Sequence, residues 1–367
     1  VLTLVAAALT LAAAAAPRAS AQTPAEDGFA TDLSHYTVPP DSLYRFGPKD
    51  AIPSIDHPRF VSVDEAREWL GDREPVAVVS VGGETRAYPV QILMHHDVVN
   101  DVIGGRPVAV TFCILCGSAM AFDRRFDGQV LEFGVAGRLN NSNLVIYDRQ
   151  TETWWGQIVG EGLVGTYAGR RLAQISAPLL RFADFREAHP DGRVLSRETG
   201  FDRPYGQGRM ADYEERGPIE RIFRKPADVR LPAKERVLVV EREDDVVAFP
   251  YRALSERRVL DAEVAGEPVV AFWAPGTASV YTAGSIADAH DVGSAVAYDP
   301  VVDGRRLRFR PEGDGRFRDR ETGSLWTIAG RAVEGPLAGR ALPEVDNGVH
   351  FWFVWAAYRP QTRVIER

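Results

Sequence analysis

Cysteine is almost missing from this chain: its 367 residues include two, too few for a disulfide framework to replace a packed core. A basic excess is missing as well. Lys and Arg number 43 against 51 Asp and Glu, a formal net charge of −8. That balance argues against a nucleic-acid partner, which selects a basic face. Beyond Ala16 no apolar run approaches the roughly 20 residues that a membrane-spanning helix needs. What is present is 45% hydrophobic and 26% charged residues, a composition that excludes a disordered chain and predicts a buried core.

The single long apolar run, Val1 to Ala16, is followed by Pro17-Arg18-Ala19-Ser20-Ala21, which ends in the small-x-small pattern that signal peptidase reads. Residues 1–21 are therefore expected to be a signal peptide cleaved after Ala21, leaving a soluble chain with a periplasmic or extracellular location. No cysteine sits at that cut to carry a lipid. In an exported protein a cysteine pair is a disulfide, a metal site or a redox couple.

Residues 22–72, rich in Pro, Asp and Ser, read as an irregular lead-in. Within it Ser62-Val63-Asp64-Glu65 forms a capping-box pattern, which predicts a short helix running to about Leu70. The texture then becomes β. A hairpin is expected over Val76–Val81 and Thr85–Tyr88, with further strands at Pro107–Phe112, Ala119–Phe122, Val130–Val135 and Leu144–Tyr147. Leu179, Phe182 and Phe185 share one face at helical spacing, which predicts a helix over Pro178–Ala188. The fold class is mainly β, of α+β type with short helices.

The chain also resembles itself. Arg86 to Cys113 aligns without gaps with Val247 to Ala274, Gly117-Ser-Ala-Met-Ala-Phe-Asp with Gly293-Ser-Ala-Val-Ala-Tyr-Asp, and Asp148-Arg149 with Trp155 aligns with Asp319-Arg320 with Trp326. Conserved order across these segments predicts a tandem duplication of a β-rich domain, with repeats at 73–197 and 234–367 and a Gly/Pro-rich connector at 198–233. The connector reads as a segment draped over both copies, with a loop closing over a site as the alternative. The second repeat is degenerate. His95, His96 and Asp97 are replaced there by Glu256, Arg257 and Arg258, Cys113 by Ala274, and an insertion of 15 residues falls where Cys116 would be.

Cys113-Ile114-Leu115-Cys116 is a C-x-x-C at a predicted strand end, a spacing that lets both sulfurs face one point. A β-rich run follows it where a dithiol enzyme of the thioredoxin kind has a helix, which weakens that analogy. With His96 and His95 as nitrogen donors the pair makes a soft set suited to copper first and zinc second. Asn141 and Ser142 lie in a polar run, Asn140 to Asn143, read as turn chemistry. Arg149 and Trp155 recur in the second repeat in role or type, so Asp148-Arg149 is read as a structural ion pair and Trp155 as a core aromatic. Gln157 has Ile328 opposite it and stays a site candidate, while Phe351, Trp352, Phe353, Trp355 and Tyr358 read as packing between repeats.

Pro89 with the His96–Asn100 segment, Thr111-Phe-Cys-x-Leu-Cys-Gly-Ser, Asn141-Ser142 and Tyr147-Asp-Arg-Gln-Thr-Glu with Trp155 resemble a secreted bacterial and archaeal family known as domain of unknown function thirty-one seventy-nine. The resemblance implies membership and no assigned reaction. Its pattern carries over Cys113, Cys116, His96, Asp97, Asn100, Asn141, Ser142, Arg149, Trp155 and Gln157. Asp97 stands where the family has Glu, His95 where it has Trp, and Ile114 at a position often Pro. The leading expectation is an exported soft-metal site of Cys113, Cys116, His96 and His95, served by a periplasmic protein or metal donor. Thiol-disulfide exchange at the same pair and a noncatalytic binding module with a structural disulfide are the alternatives.

Overall fold

A computed structural model describes residues 28–313 and 315–366. The expected signal peptide lies outside these residues. Strand dominates, interrupted by a few short helices, as the alternation of apolar positions implies.

In the first half, Pro75–Val81 and Glu84–Pro89 form the expected hairpin, and the helix Val90–His96 follows directly. Val98–Ile103, Arg106–Cys113 and Ser118–Asp123 then form an antiparallel meander, joined at its edge by Gln174–Ile175. A second sheet carries Tyr44–Arg45, Phe133–Asn140, Asn143–Asp148, Trp154–Gly156 and Glu161–Val164 in that order. The expected Val130–Val135 strand is split: Gln129–Val130 pairs with Arg125–Phe126 in a separate two-stranded ribbon, and the strand in this sheet begins at Phe133 and runs on through a register shift between Val135 and Arg138. There Gly137 has a positive φ of 68°, and a Cβ on it would sit 2.3 Å from the Gly47 carbonyl. The bulge lets the lead-in cross the sheet, and Phe46 donates to the Gly137 carbonyl at 2.9 Å.

The lead-in is more ordered than its composition implied. Tyr44–Arg45 and Phe60–Ser62 both pair as strands. Ser62 and Glu65 complete the reciprocal capping box, but the regular helix spans only Val63–Ala66, with turns carrying the chain on to Leu70. The predicted helix over Pro178–Ala188 is also shorter than expected. Leu179–Arg181 is taken as an edge strand by Pro75–Val81, so the helix begins at Phe182.

Element order runs in parallel through the second half. Arg236–Arg242 and Asp245–Pro250 make a hairpin, Tyr251–Arg257 a helix, and Val259–Val264, Glu267–Ala274 and Ser294–Tyr298 a meander. Local details also correspond. Asp97 and Arg258 close their helices in the left-handed conformation, at φ 58° and 67°, each donating its N–H to a leucine carbonyl one turn back, Leu93 or Leu254. Asp148 and Asp319 each accept the indole N–H of Trp155 or Trp326 at 2.9 Å.

The largest core cluster joins both halves: Ile92, Phe112, Cys116 and Trp155 from the first, Tyr213 and Phe223 from the connector, and Phe351 to Ala356 from the second. The C-terminal aromatics therefore pack between halves. Trp352 and Phe353 are fully buried in that cluster.

Candidate functional site

Cys113 ends the strand Arg106–Cys113, and Ser118 opens the next, so Ile114–Gly117 is the turn of a meander hairpin. The Cys116 N–H donates to the Cys113 carbonyl at 3.1 Å, which draws the two Cα atoms to 5.3 Å and their sulfurs to bonding distance. Both residues are buried, Cys116 completely. The strand Ser118–Asp123 follows, where a dithiol enzyme of the thioredoxin kind has a helix.

The pair's polar neighbours come from the other sheet. Asn141 and Ser142 both have positive φ, 46° and 70°, in the two-residue loop between Phe133–Asn140 and Asn143–Asp148. That geometry brings the Ser142 carbonyl to 3.5 Å from Cys116 Sγ and 3.7 Å from Cys113 Sγ. Asn143 follows at the strand start, fully buried, and donates Nδ2–H to Cys116 Sγ at 3.2 Å and to Gln157 Oε1 at 3.0 Å. The Ile158 N–H donates to Asn143 Oδ1, which fixes the amide with its nitrogen toward sulfur. Gln157 is anchored in turn on Thr111 Oγ1 at 3.1 Å and the Ser118 carbonyl at 3.3 Å. A chain of buried hydrogen bonds thus ends on one sulfur of the pair.

Cys113 faces elsewhere. It lines a mostly apolar cavity of about 290 Å³ with Asp97, Ile114, Leu139, Leu144 and residues of the lead-in and connector. Burial pushes the Asp97 carboxyl up to about 8 despite the pull of Arg209. Its backbone carbonyl accepts the Phe112 N–H at 2.8 Å, which ties the helix end to the cysteine strand.

Over this floor lies the connector, which lines the cavity and is also bonded to the second half, the Gly208 N–H donating to the Gly284 carbonyl at 2.8 Å. Met210, Ile219 and Ile222 roof the cavity, and Tyr213 donates its hydroxyl to the Leu115 carbonyl at 3.0 Å. The second half backs the same turn: Tyr281, in its insertion, donates to the Ile114 carbonyl at 2.6 Å, and the Phe351 N–H, at the end of the strand Asn347–Phe351, to the Cys116 carbonyl at 2.8 Å. Gly117, at φ 60°, fits because a Cβ would lie 3.1 Å from the Phe351 ring.

The remaining sequence candidates divide by what they touch. His96 is buried, with Nδ1 on the Pro53 carbonyl at 2.8 Å and Nε2 on the Tyr205 hydroxyl at 2.6 Å. Burial lowers its pKa, partly offset by the bond to Pro53. His95 stands against the Tyr205 ring, and burial with the Arg209 charge lowers it to about 4. Neither imidazole joins the sulfurs. Among the described residues no group of three or more His, Cys, Asp and Glu side chains is arranged to hold a metal ion, so in this arrangement the expected donor set does not fit copper or zinc.

Asn100 is a clamp between Asp56 and the Phe133 backbone. Asn141 bonds Asn140 and the Arg224 N–H. Asp148 and Arg149 do not pair with each other, contrary to the sequence expectation. Asp148 is the last residue of its strand and Arg149 the first of the turn that follows: Arg149 meets Asp56 at 2.8 Å and Glu132 at 2.6 Å, while Asp148 receives Thr151 and Trp155. Asn143 escaped the sequence reading because turn chemistry accounts for all four residues of its run. Its neighbour Gln157, unmatched in the second half, was the available signal.

The arrangement defines a mainly β protein with a cystine between a buried amide chain and a roofed apolar cavity. Residues 49–362 match the model of a family described as protein of unknown function (DUF3179), and the chain belongs to that family. No curated protein and no solved structure gives a match. No helix of the described residues is long and apolar enough to cross a membrane.

Proposed function

We propose that Cys113–Cys116 is a thiol-disulfide exchange centre of an exported protein, with the second half, which repeats the framework without the cysteines, as its scaffold. The observation that carries this reading is the asymmetry of the pair: Asn143 donates to Cys116 Sγ, while Cys113 lines the cavity. A thiolate entering the cavity attacks Cys113 Sγ, the disulfide breaks, and Cys116 leaves as a thiolate that receives the Asn143 N–H. Charge-assisted hydrogen bonds are the strong ones, so the donor favours departure at Cys116 and not at Cys113.

The test is a redox titration of the full chain by alkylation and mass spectrometry, with both single variants. A reversible two-electron couple is expected. In Cys116→Ser the Cys113 thiolate should attack oxidised glutathione, form a mixed disulfide and release one glutathione thiolate, and Cys113→Ser should not form one at the buried Cys116. A pair that resists millimolar dithiothreitol in the folded protein overturns the reading. Stoichiometric copper or zinc in protein reduced and purified anaerobically, lost in Cys113→Ser, would return the soft-metal site to first place.

A further inference from the structure

The cavity beside Cys113 describes what should enter it. Its volume, about 290 Å³, falls just below the roughly 300–1,000 Å³ range of small-ligand pockets. A protein segment would have to displace the connector, which Tyr213 and Tyr205 fasten to Leu115 and His96. The walls are Ile52, Leu139, Leu144, Ile219 and Ile222, which suit an alkyl chain and offer little to a peptide backbone. Phe46 and Arg221 line it too and are exposed, so the cavity opens between lead-in and connector on the Arg221 side, while Cys113 is a buried part of its lining. Arg221 has no hydrogen-bond or ion-pair partner among the described residues.

Resting on the exchange reading above, we propose that the substrate is a medium-length aliphatic dithiol with an anionic head, its chain in the cavity, its head at Arg221 and its sulfurs at Cys113. One substrate thiolate attacks Cys113 Sγ and displaces Cys116. The second substrate sulfur attacks the first, closes a cyclic disulfide and releases Cys113. The substrate loses two electrons and two protons, and the cysteine pair gains both.

Dihydrolipoate, eight carbons with a terminal carboxylate, is the probe for the oxidised full-length chain; dihydrolipoamide, dithiothreitol and glutathione are the comparators. Dihydrolipoate should reduce the pair in a single turnover whose rate saturates with its concentration, with a second-order rate constant at least about tenfold above dithiothreitol. Arg221→Gln should raise the half-saturating concentration of dihydrolipoate and narrow its advantage over dihydrolipoamide. Leu139→Trp, which fills the cavity, should abolish the preference; Ile222→Trp fills it from the connector should the first variant fold poorly. Reduction by dithiothreitol with no preference for dihydrolipoate, or a preference that survives the filled cavity, overturns the substrate class alone. Failure of every thiol to reduce the folded protein overturns the exchange reading beneath it.

Discussion

Asn143 sits between two partners of different kinds, an amide oxygen on Gln157 and a sulfur on Cys116. A hydrogen bond to a charged group contributes about 1.5–3 kcal/mol, and in a two-electron couple about 1.4 kcal/mol corresponds to about 30 mV. Asn143→Ala should therefore shift the cysteine pair's potential about 30–60 mV more negative where Cys116 ionises, measured against a dithiothreitol redox buffer. An unchanged potential would show that the amide does not support the thiolate. Gln157→Leu should move the potential the same way by less, since Asn143 keeps its anchor at the Ile158 N–H. Chemistry at this scale was partly legible. The scarcity of cysteine and the unmatched Gln157 pointed to residues that the structure joins through Asn143, whereas the histidines turn to Pro53 and Tyr205 instead.

The strand Asn347–Phe351 is the element that joins the halves at the site. Phe351 is fully buried against the Gly117 turn, so Phe351→Ala should cost about 3–5 kcal/mol and speed amide exchange at Cys116, read by denaturant melts and hydrogen-exchange mass spectrometry. Normal protection at Cys116 in a folded variant would sever that link. One residue earlier, His350 bonds Ser118 Oγ at 2.9 Å and stacks on Trp355, in a small pocket that Glu241 and Asp346 also line. Burial lowers its pKa to about 3, below the unfolded value near 6.5. The unfolded chain then binds the proton first, so this histidine's contribution to stability falls as pH drops from about 6.5 toward about 3. His350→Phe should flatten the decline in urea stability between pH 7 and pH 5; parallel declines in both proteins would assign the acid sensitivity elsewhere. Hairpin positions were readable from alternation alone. Leu179–Arg181 was not, because a helical spacing of apolar residues also suits an edge strand when a neighbour offers its backbone.

At the scale of the molecule, one hydrophobic cluster takes residues from the first half, the connector and the second half. The halves should unfold together, as a single calorimetric transition whose van't Hoff and calorimetric enthalpies agree. Two resolved transitions would mean that the shared cluster does not couple them. Ion pairs reinforce the junction, with Arg359 holding Glu161 at 2.8 Å and Glu241 at 3.0 Å. The internal resemblance in sequence anticipated the parallel order of elements, but not that the second half's insertion and the connector would close over the first half's cysteines.

By itself the sequence determined the β class, the hairpins, the capping box and the place of the only soft chemistry, because alternation, turn residues and caps act over a few neighbouring positions. Tertiary structure decided what that chemistry faces. The contact of Tyr281 with Ile114 spans 167 positions and that of Asn143 with Cys116 spans 27, and such contacts depend on sheet register and on a bulge at Gly137, not on any local pattern.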